Sequence, residues 1–476
     1  MASDDEQSKC PSAQLAGSQT ARTNRPGVTC VVVLIALVSV VAWSWTVDPV
    51  SVGKVLIAAG WSLFVAAALF RLAAMATSGR PYVTPGEPQD WPRYTIVAAL
   101  YREADVVGQL CERLGRFDYP PDRLQGLLAL EEDDIETLGA ALACVKPPWL
   151  EIVIVPNGHP RTKPRALNHA LGLATGDLLA VYDAEDEPDP VQLKAAARRF
   201  WAEPDRLACL QAPLRVRKRE NSRTPFLDQQ FAAEYAALFE VILPAMGKWG
   251  LPFPLGGTSN HFRVDALKSS GGWDPWNVTE DADLGFRLWR MGWRLDTITP
   301  PTWESPPGAF RDWLPQRTRW MKGYMQTLIV HLRSPWRLGW RGLAALSLTI
   351  GLGLLSAAVF APMSAWLLLN AGSIHPLGMT VLIGASGAAL ATAWLGMRRA
   401  GSEYGMMDAA GSLLYWPLLS LAFVHALWRL IRQPHHWDKT QHLPDAASGP
   451  EPLPSPKAGD DVPTVQTPDA HDKELA

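Results

Sequence analysis

The stretch DLLAVYDAEDEPDP, residues 177–190, joins a short apolar run to a group of carboxylates. Short apolar runs bounded by polar residues are typical of strands that are buried on both faces of an open sheet. Ligands of such sheets bind at the carboxyl ends of the strands, which here means beside Asp183, Glu185 and Asp186. The stretch therefore predicts an α/β fold with carboxylates at the ligand-binding edge, although a solvated acidic loop would have the same composition.

Three further runs of the same kind precede this stretch: TIVAAL (95–100), LQGLLAL (124–130) and EIVIVP (151–156). Helical patterns lie between the runs, near residues 105–116, 134–144 and 164–174. Strands that alternate with helices in this way indicate a parallel sheet. We therefore expect one α/β domain over residues 90–308.

The apolar residues outside this domain are concentrated towards the two ends of the chain. Stretches that are long enough to cross ~30 Å of hydrocarbon as helices lie at 28–47, 53–76, 343–369, 377–397 and 409–431. The predicted order is a disordered leader (1–27), two transmembrane helices (28–76), the α/β domain (90–308), an amphipathic interfacial segment (309–340), about three membrane helices (341–432) and a disordered tail (443–476).

Charge and cysteine usage exclude other classes of protein. The net charge of −3 provides no broad basic surface for nucleic acid. The five cysteines contain no CxxC pair, which fits neither a zinc site nor a disulfide framework. Membrane topology stays open, because five spans would place the C-terminus outside, whereas Arg429, Arg432 and Lys439 favour the cytosol.

A second acidic group lies in NVTEDADLGFRLWRMGW, residues 277–293. Glu280 and Asp281 stand at the start of a predicted helix, where the helix dipole favours acidic residues for stability alone. The functional alternative makes Asp281 a general base that removes the proton from an acceptor hydroxyl.

The segment QRTRW, residues 316–320, provides a third group. Helical spacing places Gln316 and Arg319 on one face, where they can point together at an anion, and Trp320 offers a flat surface for a sugar ring. Arg and Trp are also expected at a membrane surface, and this is how we interpret Trp313 and Trp336.

A strand-end DxE/D cluster, TED and QxxRW, in this order between membrane spans, resemble the family 2 glycosyltransferases. The likeness covers roughly residues 95–320 and is strongest to processive synthases of β-linked polysaccharides, such as cellulose and mixed-linkage glucan synthases. It implies a GT-A domain, which is a Rossmann-like fold that binds nucleotide sugars, inserted between transmembrane helices and facing the cytosol at a bacterial inner membrane.

The resemblance also implies roles for individual residues. Asp281 is the expected catalytic base, Glu280 and Trp320 bind the acceptor, and Asp183 with Glu185 holds Mg²⁺ or Mn²⁺, with Asp186 as the alternative to Glu185. Donor binding is assigned to Tyr101, Glu103, Lys163, Asp183, Gly257, Gln316 and Arg319, and to either Glu131 or Glu132.

The expected reaction is an inverting, metal-dependent transfer of a hexose from a nucleotide sugar to the end of a β-linked glycan. The expected donor is UDP-glucose. The alternative is a single transfer onto a membrane lipid. The expected partners are the nucleotide sugar, the glycan acceptor and the lipid bilayer, and the need for an accessory subunit is left open.

Overall fold

The computed structural model describes residues 15, 19–23, 25, 27–79, 86–203, 206–219, 222–370, 372 and 375–436. The tail predicted at 443–476 and most of the predicted leader lie outside the described residues.

The α/β domain is built on a twisted sheet of seven strands. The strands of the chain are β1 (Tyr94–Leu100), β2 (Leu124–Glu131), β3 (Leu150–Val155), β4 (Leu178–Tyr182), β5 (Glu187–Pro188), β6 (Leu207–Gln211), β7 (Leu214–Val216), β8 (Asn260–Arg263), β9 (Arg294–Thr297) and β10 (Thr302–Glu304). The sheet has the order β3-β2-β1-β4-β8-β6-β9, and its neighbours are parallel except that β8 is antiparallel to both β4 and β6. The four strands predicted from apolar runs are confirmed, with ends that differ by one residue at most.

Helices cover both faces of this sheet and continue into the apolar ends of the chain. They are α1 (Val28–Val47), α2 (Pro49–Thr77), α3 (Val107–Leu114), α4 (Ile135–Ala143), α5 (Lys163–Leu173), α6 (Gln192–Ala202), α7 (Pro225–Ala237), α8 (Leu243–Lys248), α9 (Val264–Ser269), α10 (Glu280–Arg290), α11 (Phe310–Leu332), α12 (Gly339–Leu346), α13 (Leu352–Asn370), α14 (Pro376–Arg399) and α15 (Met406–Arg432). Alternate strand residues belong to different cores, with Val97 on one face and Ile96 on the other. Burial on both faces is the reason that these strands read as continuous apolar runs.

A second, three-stranded sheet has the order β5-β10-β7. Trp303 of β10 is paired with Glu187 of β5, directly after the acidic turn that follows β4. This pairing brings Glu304 alongside the turn.

Within the part of the chain that the structure describes, four helical stretches are long and apolar enough to cross a bilayer: Pro49–Thr77, Pro335–Asn370, Pro376–Arg399 and Met406–Arg432. A shorter apolar stretch, Ile35–Val47, lies in α1. The α/β domain packs directly on these helices, since Gln230 of α7 donates to the carbonyl of Asp408 at 2.9 Å and accepts from Ser412 Oγ at 2.6 Å.

The structure corrects two sequence predictions. The predicted disordered leader is wrong for residues 20–23, because Ala21–Thr23 form a 3₁₀ turn and Ala21 is 0% exposed. The interpretation of Trp313 as a membrane-surface anchor is also wrong, because much of α11 is buried within the protein, whereas the interfacial location of the segment stays a prediction. Trp313 is 0% exposed and donates from Nε1 to Tyr415 Oη at 3.0 Å, whereas Trp336 is 66% exposed, as expected for a surface anchor.

Candidate active site

A cavity of about 290 Å³ opens at the carboxyl ends of β1, β2 and β4. Its walls are completed by the start of α10 and by one face of α11. All the predicted site residues except the two alternatives Glu132 and Asp186 line it, namely Tyr101, Glu103, Glu131, Lys163, Asp183, Glu185, Gly257, Glu280, Asp281, Gln316, Arg319 and Trp320.

The structure distinguishes the two carboxylates at the end of β2. Glu131 reaches the cavity and forms a buried ion pair with Arg165. Glu132 instead accepts from the backbone N–H of Asn157 at 3.1 Å and from its side-chain amide at 2.9 Å. Glu131 is therefore the carboxylate that is placed to meet a ligand.

The acidic turn after β4 also divides its carboxylates between two directions. Asp183 faces the cavity and pairs with Lys163, whose ammonium also donates to the carbonyl of Gly257 at 2.7 Å. Asp186 points inward, where it is 0% exposed and accepts from Thr258 Oγ1 and from the N–H of Asp183. Glu185, on the cavity side, is thus the partner of Asp183 at the surface of the site.

The chemistry of these residues fits a divalent cation that is shared with a substrate. Magnesium is often held by one or two carboxylates together with substrate phosphates, and Asp183 with Glu185 supply that number of hard oxygen ligands. Among the residues that the structure describes, no group of three or more His, Cys, Asp or Glu side chains has an arrangement that could hold a metal ion.

The opposite wall is formed by the first turn of α10. Burial raises the pKa of Asp281 to about 6, although its hydrogen bond from the N–H of Ala282 and the charges of Lys163 and Arg319 act in the other direction. Burial, followed by the charge of Asp281, raises the pKa of Glu280 to about 8. A carboxylate whose pKa lies near neutrality is suited to accept a proton.

A buried network fixes α10 against α11. Asp283 accepts from Arg287 Nη2 at 2.6 Å and lies 3.1 Å from His331 Nε2. Burial would raise the pKa of Asp283, but the charge of Arg287 and the contact with His331 outweigh it and lower the pKa to about 2. Gly323 of α11 permits the close approach of the two helices, since a Cβ there would lie 2.3 Å from Thr279 Oγ1.

Gln316, Arg319 and Trp320 lie on the face of α11 that this packing turns towards the cavity. The side-chain oxygen of Gln316 is buried and has no hydrogen-bond partner among the described residues. Trp320 belongs to an aromatic cluster, with its ring centroid 5.9 Å from Phe231 and 6.0 Å from Tyr235, and Arg317 lies 4.6 Å above it. Gln316 and Trp320 thus present a polar atom and a ring to the same space.

Sequence reasoning missed several residues of the cavity wall, among them the ionisable residues Arg161, Tyr235, Glu304 and Tyr324. Tyr235 and Glu304 come from α7 and β10, which carry no motif that would have marked them. Arg161 lies 5.8 Å over the ring of Tyr101, and its proximity to Lys163 was the available signal. Tyr324 lies four residues after Trp320 on α11, so helical spacing predicts the shared face.

Comparison with known proteins agrees with the geometry of the cavity. Residues 178–377 match the family model described as glycosyl transferase family group 2. The chain carries a family 2 glycosyltransferase domain. The matched range begins at β4 and includes the acidic turn, the TED helix and QRTRW.

Two relatives represent different kinds of acceptor. The glycosyltransferase domain is similar to the beta-monoglucosyldiacylglycerol synthase of Synechocystis sp., with 27% identity over 249 residues, 51% of this chain and 50% of the relative. It is also similar to cellulose synthase 2 of Novacetimonas hansenii, with 25% identity over 332 residues, 65% of this chain and 20% of the relative. The chain thus spans about half the length of the first relative and a fifth of the second.

A solved structure confirms the predicted GT-A fold. The mannosyltransferase PcManGT from Pyrobaculum calidifontis, in complex with GDP-Man and Mn²⁺, superposes with a TM-score of 0.54 at 20% identity. The match covers 79% of this chain and 97% of that structure. The predictions of a family 2 glycosyltransferase and of a GT-A fold next to apolar helices are therefore confirmed, whereas the donor, the acceptor and the residue roles remain to be proposed.

Proposed function

We propose that the chain is an inverting, metal-dependent membrane glycosyltransferase in which Asp281 is the catalytic base. One observation carries this proposal. A Cβ placed on Gly257 would lie 3.3 Å from Asp281 Oδ2 and 3.9 Å from Lys163 Nζ. A base and a cation therefore border one small volume, which is what a reaction needs when a hydroxyl loses a proton and a diphosphate gains charge.

The reaction is a single displacement at the anomeric carbon. Asp281 takes the proton of the acceptor hydroxyl as the hydroxyl oxygen bonds to the anomeric carbon, and the bond from that carbon to the diphosphate oxygen breaks. Attack from the face opposite to the leaving group inverts the configuration. Lys163 and Arg319 stabilise the negative charge that develops on the diphosphate, and such electrostatic stabilisation is often the largest catalytic term.

Asp183 and Glu185 are the residues that would hold Mg²⁺ or Mn²⁺. A bound divalent cation supplies charge neutralisation to the diphosphate. Lys163 lies on the same wall of the cavity, where it pairs with Asp183. Glu131 and Tyr101 border the end of the cavity next to β1 and β2, where the nucleoside is expected.

The first candidate for the acceptor is the end of a glycan chain. Trp320 and Tyr235 present aromatic rings to the cavity, and such rings stack on sugars. A membrane lipid is the second candidate, because Leu238, Phe239 and Leu255 also line this side. UDP-glucose is the proposed donor, and a cytosolic orientation at a bacterial inner membrane is the proposed location, since nucleotide sugars are made in the cytosol.

The test uses the purified full chain in lipid nanodiscs with radiolabelled UDP-glucose, GDP-mannose and other nucleotide sugars, each with Mg²⁺, with Mn²⁺ or with a chelator. We expect metal-dependent release of nucleoside diphosphate and a β-linked product. Size-exclusion chromatography separates long polymer from a single glycolipid species, and glycosidase digestion identifies the linkage. Absence of release with every donor, by a protein that keeps its thermal unfolding transition, would contradict the proposal.

A further inference from the structure

The described residues just before α1 form part of the surroundings of the site. Thr20 is 9% exposed, and the 3₁₀ turn Ala21–Thr23 follows it. The chain then enters α1 at Val28. A segment that is polar and without periodicity thus lies packed against the glycosyltransferase domain.

The partner of this segment is Asp274, a carboxylate with 0% exposure. Its Oδ1 accepts from Thr20 Oγ1 at 2.7 Å and its Oδ2 accepts from the N–H of Ala21 at 2.6 Å. A third hydrogen bond comes from the N–H of Trp276 at 3.1 Å. Burying a carboxylate is costly unless it is hydrogen-bonded, and two of these three bonds come from the leader.

Arg333, directly after α11, holds the other side of the segment. It donates to the carbonyl of Thr20 at 2.7 Å, to that of Arg25 at 2.8 Å and to Thr23 Oγ1 at 3.2 Å. Gly27 lies against it so closely that a Cβ there would be 2.8 Å from Arg333 Cα. The leader therefore joins Asp274 to the end of the helix that carries QRTRW.

The loop that starts at Asp274 contacts both walls of the cavity. The carbonyl of Pro275 accepts from Thr162 Oγ1 at 3.1 Å, next to Lys163. The N–H of Val278 donates to Gln326 Oε1 at 3.0 Å, and Thr279 and Asp281 follow directly. A displacement of Asp274 would thus be transmitted to the residues that precede the base.

We propose that Thr20 is a positioning residue for Asp281 and that it acts through Asp274. Its hydroxyl holds the loop 274–281 in the conformation that places the carboxylate of Asp281 beside Gly257. The described residues between Thr20 and α1 connect α1 to this support. The inference rests on the proposed function, because it takes Asp281 as the base.

The experiment compares Thr20→Val, which removes the hydroxyl at nearly constant shape, with Thr20→Ser, which keeps it. Thr77→Val is the matched control, because among the described residues the Thr77 hydroxyl bonds within its own helix alone, to the carbonyl of Ala73. The full chain in nanodiscs is assayed for diphosphate release, and hydrogen exchange is followed in peptides that cover 274–283.

We expect Thr20→Val to lower kcat about tenfold, the effect of one hydrogen bond to a charged group, with the donor KM within twofold. Exchange in 274–283 should become faster. Thr20→Ser should keep most of the activity, and Thr77→Val should match the wild type. On an Asp274→Ala background, which removes the acceptor, Thr20→Val should have little further effect, because residues that act through one contact are not additive.

Three results would overturn the inference: an unchanged kcat in Thr20→Val, an equal loss in Thr20→Ser, or faster exchange that is confined to the leader. A fall in the thermal unfolding midpoint without a change in kcat would likewise overturn it and leave a structural role alone. If the wild type releases no diphosphate from any donor, the proposed function fails, and the exchange data still decide whether Thr20 holds the loop.

Discussion

The two acidic motifs on opposite walls of the cavity each bury one aspartate that does not reach it. Asp186, in the turn after β4, accepts hydrogen bonds from Thr258 and a backbone N–H. Asp283, in α10, pairs with Arg287. Burial and the charges of Asp183 and Glu185 raise the pKa of Asp186 well above its ordinary value, whereas the charge of Arg287 lowers that of Asp283.

The difference shows that equal burial does not decide the charge of a carboxyl group. Both side chains are 0% exposed, so the partner decides. Asp186 is surrounded by acids and is favoured in its neutral form, while Asp283 faces a guanidinium and is favoured as the anion. The turn after β4 therefore keeps its charge at the surface of the cavity, and α10 keeps an ion pair beneath the base.

We expect the largest effect for Asp281, the aspartate of α10 that faces the cavity. Asp281→Asn keeps the shape but cannot accept a proton, so kcat should fall by roughly 10²- to 10⁴-fold, the usual contribution of a general base. Asp265→Asn is the matched control, because exposed Asp265 accepts from the N–H of the next residue in the same manner. Full diphosphate release by the Asp281→Asn variant would show that Asp281 is not the base.

Measurements of stability test the difference between the two buried aspartates, Asp186 and Asp283. Asp283→Asn leaves Arg287 buried without its counter-charge, and breaking such a pair costs about 3–5 kcal/mol. Asp186→Asn exchanges one neutral acceptor for another, so the free energy of unfolding should fall by less than about 1 kcal/mol. Thermal unfolding of both variants in one detergent measures the difference. Equal shifts would mean that the two aspartates do not differ in charge.

The acid limb of the pH profile gives a finer test. Asp281 acts only as the carboxylate, so kcat should fall as the pH drops through about 6, the pKa to which burial raises this group. Lys163 favours the carboxylate, and Lys163→Gln should therefore move the limb to higher pH while lowering activity overall. Lys268→Gln, at a lysine that donates to the carbonyl of Ala174, should leave the limb in place. A shift of the acid limb to lower pH in Lys163→Gln would contradict the inference that Lys163 favours the carboxylate form of Asp281.

The smallest expected effect concerns the volume between the two walls. Gly257→Ala places a methyl 3.3 Å from Asp281 Oδ2, so the carboxylate must move by a few tenths of an ångström. We expect roughly a three- to fivefold loss of kcat, since a misplacement of 1 Å costs about 10²-fold. Gly172→Ala, at a position with open space around it, is the control. An unchanged kcat would show that the carboxylate adapts without loss.

The strands of the domain were predictable because burial on both faces produces continuous apolar runs, as in TIVAAL and LQGLLAL. The site residues were predictable as a set because TED and QxxRW follow the acidic turn in a recognisable order. Their separation into cavity-facing and buried members was not. Glu185 differs from Asp186, and Glu131 from Glu132, through contacts with Thr258, Arg165 and Asn157 that are distant in sequence.

Trp313 and residues 20–23 were predicted wrongly because the same composition is compatible with more than one structure. Arg and Trp side chains favour a membrane surface, but they also stack within a protein, as Arg317 does over Trp320. The leader has no apolar periodicity, because hydrogen bonds to Asp274 and Arg333 hold it rather than an apolar face. Glu304 reaches the cavity only because β10 pairs with β5, a pairing that neither short strand indicates alone.

The contact between Thr20 and Asp274 also has a consequence for biosynthesis. Its two partners are 254 residues apart in sequence. At translation rates of about 5–20 residues per second, Asp274 leaves the ribosome roughly 13–50 s after Thr20. During that interval the first two apolar helices are already made, but the leader has no docking site. The nascent chain thus has its first two apolar helices before Thr20 can bond to Asp274, and the apolar helices from Pro335 onward follow later.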